Sequence, residues 1–369
     1  MTTLVFYVSG HGFGHASRDI EVINALLTRR PDLRIIVRTT AASWLFTLTI
    51  RGSVEYHRTD TDTGIVQIDS LHLDTGATVL RAQEFMRSFD DRVVAEAAFL
   101  HHQGASLVIA DLPPLGIAAA SRAGVPAVAL GNFTWDWIYS AYPGTDDLVQ
   151  SIGEIYAHVN LALRLPMSGG FATCSNIIDL PFVARRSSRD PRETRRALAL
   201  PERERLALVS FGGYGLEGLD LEALSRLEGY VALVSGSVPL ADLPDGLRGG
   251  RRGSLLPIDE REMYGSGLRY EDLVRAVDVV VTKPGYGIIA ECLANDTALL
   301  YTSRGHFIEY DVLVAAMPQL LRAGYVGHAD LFAGRWQPHL DALLAQPEPH
   351  ARASVNGADI AAELLLDLL

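Results

Sequence analysis

Short apolar runs alternate along the chain with segments whose apolar residues recur at helical spacing. The first run, TLVFYVS, is rich in β-branched and aromatic residues, which is typical of a buried strand. Ile20, Ile23 and Leu27 then share one helical face, so we expect a helix that begins near His15. The other strand-like runs are LRIIVRT (33–39), SLVIAD (106–111), VPAVALG (125–131), LALVSFGG (206–213), YVALVS (230–235), VDVVVTKPG (277–285) and TALLYTS (297–303).

This alternation predicts an α/β fold built on parallel sheets. An extended run, NIIDLPFVARR, ends the first set, and the charged segment SSRDPRETRRALALPERER after it is expected to form a helix outside any core. Because strand-like runs resume after that segment, the sequence predicts two Rossmann-like domains, residues 1–181 and 182–350, that face each other across a cleft. The amphipathic helix within residues 351–369 is expected to pack on either domain.

Composition and charge exclude several classes of protein. The chain has 369 residues and a formal charge of −12, which argues against a nucleic-acid partner. Cys174 and Cys292 are isolated, so neither a disulfide framework nor a zinc site is expected. The N-terminal apolar run is too short for a signal peptide, and no apolar stretch approaches the roughly 18 residues of a membrane span. We therefore expect a cytoplasmic protein; its oligomeric state stays open.

The residues that follow the strand-like runs are the candidates for chemistry, because ligands of open α/β sheets bind at the carboxyl ends of the strands. The stretch SGHGFGHASR follows the first run and holds His11 and His15 in a glycine-rich turn. Asp111 ends the run SLVIAD, and NFTWDW follows the run VPAVALG. Such a turn exposes backbone N–H groups and a helix N-terminus to the cleft.

The second half of the chain offers two further glycine-rich turns. One contains Gly212, Gly213 and Gly215, and the other contains Gly285 and Gly287 at the predicted start of a helix. Both turns suit a phosphate group, since the helix dipole and bare N–H groups favour an anion. A lysine and a proline precede the second turn, and a glutamate lies one helical turn into the helix, where its carboxylate is expected to accept from sugar hydroxyls.

The ordered motifs YVSGHGFGHASR, NFTWDWIY, NIIDLPFVARR, SFGG and VVTKPGYGIIAE…RGHFIEYDVL resemble the glycosyltransferase-like N-terminal region of plant L-arabinokinases. More distantly, the chain is similar to the GT-B nucleotide-sugar glycosyltransferases. That group includes the plant UDP-glycosyltransferases and the bacterial enzyme that adds N-acetylglucosamine to the lipid-linked peptidoglycan precursor. The resemblance runs from about Leu4 to Tyr325 and does not extend to a sugar-kinase domain, so it implies no kinase activity.

The resemblance implies a role for individual residues. His15 matches the histidine that is the general base in many inverting GT-B enzymes, and Asp111 matches the aspartate that orients it. Glu291 matches a ribose-binding glutamate, and Glu309 lies where related enzymes bind donor-sugar hydroxyls. The other residues implied at the donor are Gly12, Gly14, Gly212, Gly213, Tyr214, Lys283, Pro284, Gly285, Gly287 and Arg304. Those implied at the acceptor are His11, Phe13, Trp135 and Asp136.

The function implied is transfer of a sugar from a nucleotide-sugar donor to an acceptor hydroxyl. A UDP-linked donor is favoured, with inversion at the anomeric carbon and with neither a metal ion nor a bound cofactor. The first domain would hold the acceptor and the second the donor. The donor sugar, the nucleobase and the acceptor stay open, because Glu309 replaces the usual Gln or Asp and the Trp-rich stacking motif of the plant enzymes is not seen.

Three alternative functions are weighed against this interpretation, together with other interpretations of single residues. A nucleotide-sugar 2-epimerase or hydrolase, and a non-catalytic nucleotide-sugar binder, remain open on the same scaffold. A nicotinamide-dependent oxidoreductase is disfavoured, because the glycine spacing of the first turn is not G-x-G-x-x-G. His11 remains the second candidate for the base. Asp60 and Asp62 spell an Asp-x-Asp metal motif but lie in a polar loop, and the aromatic cluster around Trp135 is more typical of packing than of a sugar platform.

Overall fold

The computed structural model describes residues 2–212, 216–235, 250–349 and 352–369. The strands in that part of the chain are β1 (Thr3–Val8), β2 (Arg34–Thr39), β3 (Glu55–Arg58), β4 (Ala105–Asp111), β5 (Ala127–Phe133), β6 (Leu161–Gly169), β7 (Ile177–Asp179), β8 (Arg205–Ser210), β9 (Tyr230–Val234), β10 (Leu255–Pro257), β11 (Val279–Thr282), β12 (Ala298–Tyr301) and β13 (Ala323–Tyr325).

Helices fill most of the connections between these strands. They are α1 (Phe13–Arg29), α2 (Ser43–Thr49), α3 (Thr75–Arg87), α4 (Phe89–Gln103), α5 (Pro114–Ala123), α6 (Trp135–Ser140), α7 (Asp146–Tyr156), α8 (Pro191–Ala197), α9 (Leu221–Leu224), α10 (Glu260–Gly265), α11 (Tyr270–Ala276), α12 (Tyr286–Ala294), α13 (Ile308–Leu320), α14 (His328–Phe332), α15 (Gln337–Leu344) and α16 (Gly357–Leu366). Of the helices described, none is both long and apolar enough to cross a membrane.

The strands form two parallel sheets. The first has the order β3-β2-β1-β4-β5-β6-β7, and the second has the order β10-β9-β8-β11-β12-β13. Every strand pairing in both sheets is parallel. In each sheet the chain order reverses once near the middle, between β1 and β4 in the first and between β8 and β11 in the second. These reversals are the switch points at which open sheets of this kind bind ligands.

Strand β1 shows why the central strands form where the sequence predicts them. All six of its residues are buried, because helices cover both faces of the sheet. Leu4 and Phe6 pack in one core cluster with Ile20 of α1, whereas Val5 packs in a second cluster with Ile117 of α5. Successive side chains of a strand point to opposite faces, so one short apolar run stabilises two layers of helices at once.

The predicted strand-like runs coincide with β1, β2, β4, β5, β8, β9, β11 and β12, with end shifts of one or a few residues. Helix α1 begins at Phe13, two residues before the expected start. The charged segment forms only the short helix α8, which lies against α11. Strands β3, β6, β10 and β13 were not predicted. Helix α16, expected on either domain, packs on α1 beside the first sheet.

The contact between α16 and α1 combines a buried apolar seam with exposed ion pairs. Leu365 is fully buried in the core cluster that contains Ile23 of α1. Arg29 at the end of α1 donates to Asp359 at 2.8 Å and to Glu363 at 3.1 Å, and both carboxylates are exposed. Exposed ion pairs contribute little to stability, since water screens them. The buried seam therefore holds α16 in place.

We predict that Leu365→Ala lowers the free energy of unfolding by about 2–5 kcal/mol, because it leaves a cavity in this seam. Arg29→Ala, which removes both ion pairs at the same contact, is expected to lower it by about 1 kcal/mol or less. Urea unfolding followed by circular dichroism measures both. Equal losses in the two variants would show that the ion pairs, and not the apolar seam, hold α16.

Candidate active site

A cleft of about 420 Å³ lies between the two sheets, at the carboxyl ends of their central strands. Most of the residues that the sequence singled out line this cleft. From the first sheet come His11, Gly12, Phe13, Gly14 and His15, and from the second come Gly212, Lys283, Pro284, Gly285, Gly287, Glu291, Arg304 and Glu309. Asp111 lies directly behind His15, in contact with it. Gly213 and Tyr214 lie outside the described residues.

The N-termini of α1 and α12 approach each other in the cleft. A Cβ atom added to Gly287 would lie 3.3 Å from Cα of Gly14, so the backbones of the two helices are nearly in contact there. Gly12, which caps α1, has a φ of +78°, a left-handed conformation that favours glycine. The positive ends of two helix dipoles therefore meet in one cleft, and their free N–H groups suit an anionic ligand.

His15 is held by a carboxylate behind it. Its Nδ1 atom lies 2.9 Å from Oδ1 of Asp111, and Asp111 is completely buried. Nδ1 also lies 2.9 Å from Nη2 of Arg18, which can only donate. Because a carboxylate only accepts hydrogen bonds, the ring proton is on Nδ1 when Nδ1 bonds Asp111. The Nε2 lone pair is then left to accept a proton. The resemblance implied both residues and the contact between them, and the structure contains that contact.

Arg18, to which the sequence analysis assigned no role, completes the surroundings of Asp111. Its Nε atom donates to Oδ2 of Asp111 at 2.5 Å, and its Nη2 atom donates to Oδ1. Although burial opposes ionisation, the charges of Arg18 and His15 hold the pKa of Asp111 below its usual value. Asp111 is therefore an ionised carboxylate that orients His15.

A hydrogen bond crosses the cleft from the first sheet to Glu309. Asn132, the sixth residue of β5, accepts from Nη1 of Arg18 at 2.8 Å and donates through Nδ2 to Oε1 of Glu309 at 2.7 Å. Both Asn132 and Glu309 are buried. Glu309, predicted at the donor sugar, is thus held from the opposite side of the cleft, and its second oxygen lies 4.0 Å from Nη1 of Arg304.

Two cations lie beside the N-terminus of α12. Burial, together with the nearby charge of Arg304, lowers the pKa of Lys283 to about 7. Burial likewise lowers the pKa of Arg304, whose Nη1 atom donates to the carbonyl of Pro284 at 3.2 Å. The Nε atom of Arg304 is buried and has no hydrogen-bond partner among the described residues. Desolvated cations of this kind gain from binding an anion.

Glu291 requires a correction to the geometry that the sequence suggested. Its carboxylate was expected to be free in the cleft, but it accepts from Nε of Arg185 at 2.6 Å and is nearly fully buried. Burial raises the pKa of Glu291, and the charge of Arg185 opposes this rise. Arg185 also lies 3.9 Å from Glu271, so its guanidinium is close to two carboxylates. Any ligand that reaches Glu291 meets an ion pair.

His11 differs from His15 in the use of its ring nitrogens. Its Nδ1 atom accepts from the backbone N–H of Ile65 at 3.3 Å, which places the proton of the neutral ring on Nε2. The side chain of Gln67 lies 3.4 Å from that Nε2 atom. Burial, with the charges of His15, Arg304 and Lys283, lowers the pKa of His11 to about 3. His11 therefore stays neutral and presents no free lone pair to the cleft.

The predicted acceptor residues separate into two groups. Phe13 is 43% exposed, and its ring lies 6.0 Å from that of Trp44, which in turn lies 5.7 Å from the ring of Tyr264 of α10. Trp135 and Asp136 are buried outside the cleft lining. Phe13, Trp44 and Tyr264 thus form an aromatic cluster at the cleft, with residues from both halves of the chain.

The Asp-x-Asp motif lies apart from the cleft. Asp62 accepts from Nε1 of Trp135 at 3.1 Å, and burial raises its pKa to about 6. Asp60 is exposed. Among the described residues, no group of three or more His, Cys, Asp and Glu side chains is arranged to hold a metal ion. The role of Asp62 in this structure is a structural hydrogen bond.

Four cleft or near-cleft residues escaped the sequence analysis, although three of them stand in the motifs that carry the resemblance. Arg18 lies in YVSGHGFGHASR, Asn132 begins NFTWDWIY, and Arg185 ends NIIDLPFVARR. Trp44 lies outside those motifs. No periodicity marks an arginine or an asparagine whose partner is about a hundred residues away. Their occurrence inside the quoted motifs was the one available signal.

No family model matches the chain. The L-arabinokinase of Arabidopsis thaliana is 28% identical over 368 residues, which is 98% of this chain and 34% of that protein. The chain thus spans about a third of the length of the curated relative that it matches. This likeness confirms the predicted resemblance to the plant L-arabinokinases.

Solved structures resemble the whole chain. The glycotransferase of kitacinnamycin matches with a TM-score of 0.65 and 13% identity, over 100% of this chain and 99% of that one. UGT2 of Phytolacca americana, complexed with UDP-2-fluoro-glucose and pterostilbene, matches with a TM-score of 0.57 and 13% identity, over 100% and 94% of the two chains. These likenesses show the GT-B fold and confirm the predicted fold class.

The depressed pKa of Lys283 yields a prediction about anion binding. Near pH 8 the amine is largely neutral before binding, since its pKa is about 7. A diphosphate beside it would favour the charged form and raise that pKa, so binding of UDP should be accompanied by uptake of roughly half to one proton. Calorimetric titration in buffers of different ionisation enthalpy measures this uptake. Lys283→Met is the control, and equal uptake by wild type and variant would place the anion elsewhere.

Proposed function

We propose that this protein is a glycosyltransferase that moves a sugar from a nucleotide-sugar donor to an acceptor hydroxyl. The observation that carries the proposal is the buried pair of His15 and Asp111, which faces the N-terminus of α12 across one cleft. A base with a free ring nitrogen and an anion-binding helix end are the two groups that such a transfer needs. The GT-B fold supports the same class of reaction.

His15 is the proposed general base. The acceptor oxygen attacks the anomeric carbon, the bond from that carbon to the diphosphate oxygen breaks, and the diphosphate leaves with the bonding electron pair. The acceptor proton passes to Nε2 of His15, in the tautomer whose Nδ1–H bonds Asp111. The ionised Asp111 stabilises the imidazolium that results. Attack from the side opposite the diphosphate inverts the anomeric configuration. His11 is the weaker candidate, since its Nδ1 already accepts a hydrogen bond.

The leaving diphosphate is proposed to lie at the N-terminus of α12. There the helix dipole, Lys283 and Arg304 supply positive potential where negative charge develops. Because these groups come from the protein itself, we propose that the reaction needs no metal ion and no cofactor besides the donor. A UDP-linked donor is the first choice to test, since the similar UGT2 of Phytolacca americana is complexed with UDP-2-fluoro-glucose.

Turnover with and without an acceptor tests the proposal. Each of a panel of nucleotide sugars is incubated with the protein, alone and with a mixture of hydroxyl compounds, and nucleoside diphosphate release is measured. We expect release that depends on the acceptor, with an inverted glycosidic bond in the product. Equal release without acceptor would indicate a hydrolase, a changed sugar with the nucleotide intact would indicate an epimerase, and binding without any turnover would indicate a sensor.

His15→Ala is predicted to lower kcat by roughly 10²–10⁴-fold, because the acceptor hydroxyl loses its base. UDP affinity should be nearly unchanged, since the proposed donor contacts belong to the second sheet. Asp111→Asn should give a smaller loss, and the double variant should be no slower than His15→Ala alone, because Asp111 acts through His15. Steady-state kinetics and calorimetry measure these effects. A His15→Ala protein within about twofold of wild type would refute the assignment.

A further inference from the structure

An unbroken chain of hydrogen bonds joins His15 in the first half of the molecule to Glu309 in the second. It runs from His15 to Asp111, then through Arg18 and Asn132 to Glu309. We propose that Arg18 and Asn132 are positioning residues. Through them, the orientation of the His15 ring depends on where the second half of the molecule places Glu309. The catalytic consequence of this coupling rests on the proposed function; the coupling itself does not.

Arg18 fixes the plane of the Asp111 carboxylate. Its Nε and Nη2 atoms donate to the two different oxygens of Asp111, which is the paired geometry that a planar guanidinium provides. Arg18 is 5% exposed and lies against the ring of Tyr286 of α12, with 5.5 Å between the guanidinium carbon and the ring centroid. The carboxylate has little freedom to rotate, so the ring of His15 that bonds it is oriented as well.

Asn132 bonds both halves of the molecule because its side-chain amide has an acceptor oxygen and a donor nitrogen. The amide oxygen accepts from Nη1 of Arg18, so the amide nitrogen faces away from the guanidinium and toward Glu309. Neither a carboxylate nor an apolar side chain of the same size offers an acceptor on one side and a donor on the other. An asparagine at position 132 can therefore bond both Arg18 and Glu309.

Glu309 connects this chain of bonds to the donor side of the cleft. One of its oxygens is held by Asn132, and the other lies 4.0 Å from Arg304, which contacts the carbonyl of Pro284 just before α12. If the two halves separate, the bond between Asn132 and Glu309 is the link that breaks, because the other members of the chain belong to the first half. The amide of Asn132 then loses Glu309, and Arg18 loses its contact with the ring of Tyr286.

Asp19 is a second buried carboxyl group close to Arg18 and Asp111. It is completely buried, and neither of its carboxylate oxygens has a hydrogen-bond partner in the described part of the chain. Burial, with the nearby charge of Asp111, raises the pKa of Asp19 well above its usual value, which favours the uncharged form. The carboxylate that Arg18 bonds is therefore Asp111.

The test inverts the polarity of the bond that crosses the cleft. Asn132→Asp keeps an oxygen for Arg18 but removes the N–H donor and sets a carboxylate against Glu309. Adding Glu309→Gln supplies an amide donor from the other side and restores the bond. Glu309→Gln alone is the control for any loss at the donor sugar. We expect Asn132→Asp to lower kcat by about 10-fold while UDP affinity changes by about twofold or less, and we expect the double variant to recover to the level of Glu309→Gln alone. Urea unfolding checks that both variants are folded.

A second measurement does not depend on turnover. The ring N–H proton of His15, assigned with His15→Gln, reports its hydrogen bond to Asp111 in the proton NMR spectrum. It should shift in Asn132→Asp and return in the double variant. Arg18→Lys, which keeps the charge but loses the planar fork, should shift it too, whereas Arg29→Lys at the exposed end of the same helix should not.

The outcomes separate the two proposals. An unshifted His15 signal in Asn132→Asp, or a signal that does not return in the double variant, overturns the coupling even if the protein transfers sugar. A shifted and rescued signal in a protein that turns over no nucleotide sugar supports the coupling and overturns the proposed function.

Discussion

The close approach of Gly14 and Gly287 is the constraint on which the rest of the structure depends. A Cβ atom on Gly287 would press on the backbone of α1, so a larger side chain there would hold the two helix N-termini apart. Because these helices start at the switch points of their sheets, their approach brings both binding edges into one cleft. The proposed base on α1 and the proposed anion site on α12 are close together for that reason.

This arrangement buries several charged side chains, which must pair with one another to be stable in the interior. Asp111 is tolerated in the interior because Arg18 and His15 bond both of its oxygens. Glu291 is likewise paired with Arg185. The pKa of Lys283, by contrast, is lowered by burial and by the charge of Arg304, which the charge of Asp69 offsets only in part. Asp111 and Glu291 are therefore paired before a ligand binds, whereas an anionic ligand would pair with Lys283.

The sequence predicted most of the central strands but missed the inner strand β6 and the edge strands β3, β10 and β13. Central strands such as β1 are apolar on both faces, which leaves a continuous run in the sequence. The edge strand β3 reads Glu-Tyr-His-Arg and has no such run. His15 and Asp111 were found because they follow central strands, but Arg18 and Asn132 were not given roles, since their partners lie 93 and 177 residues away. Hydrogen bonds over such separations leave no local pattern.

A crystal structure with bound UDP tests the central claim most directly. The account predicts that the diphosphate lies within about 3.2 Å of backbone N–H groups in the first turn of α12 and beside Lys283, with Nε2 of His15 facing the terminal phosphate across the cleft. A nucleotide bound outside this cleft, or one whose diphosphate contacts the N-terminus of α1 in place of α12, would contradict it.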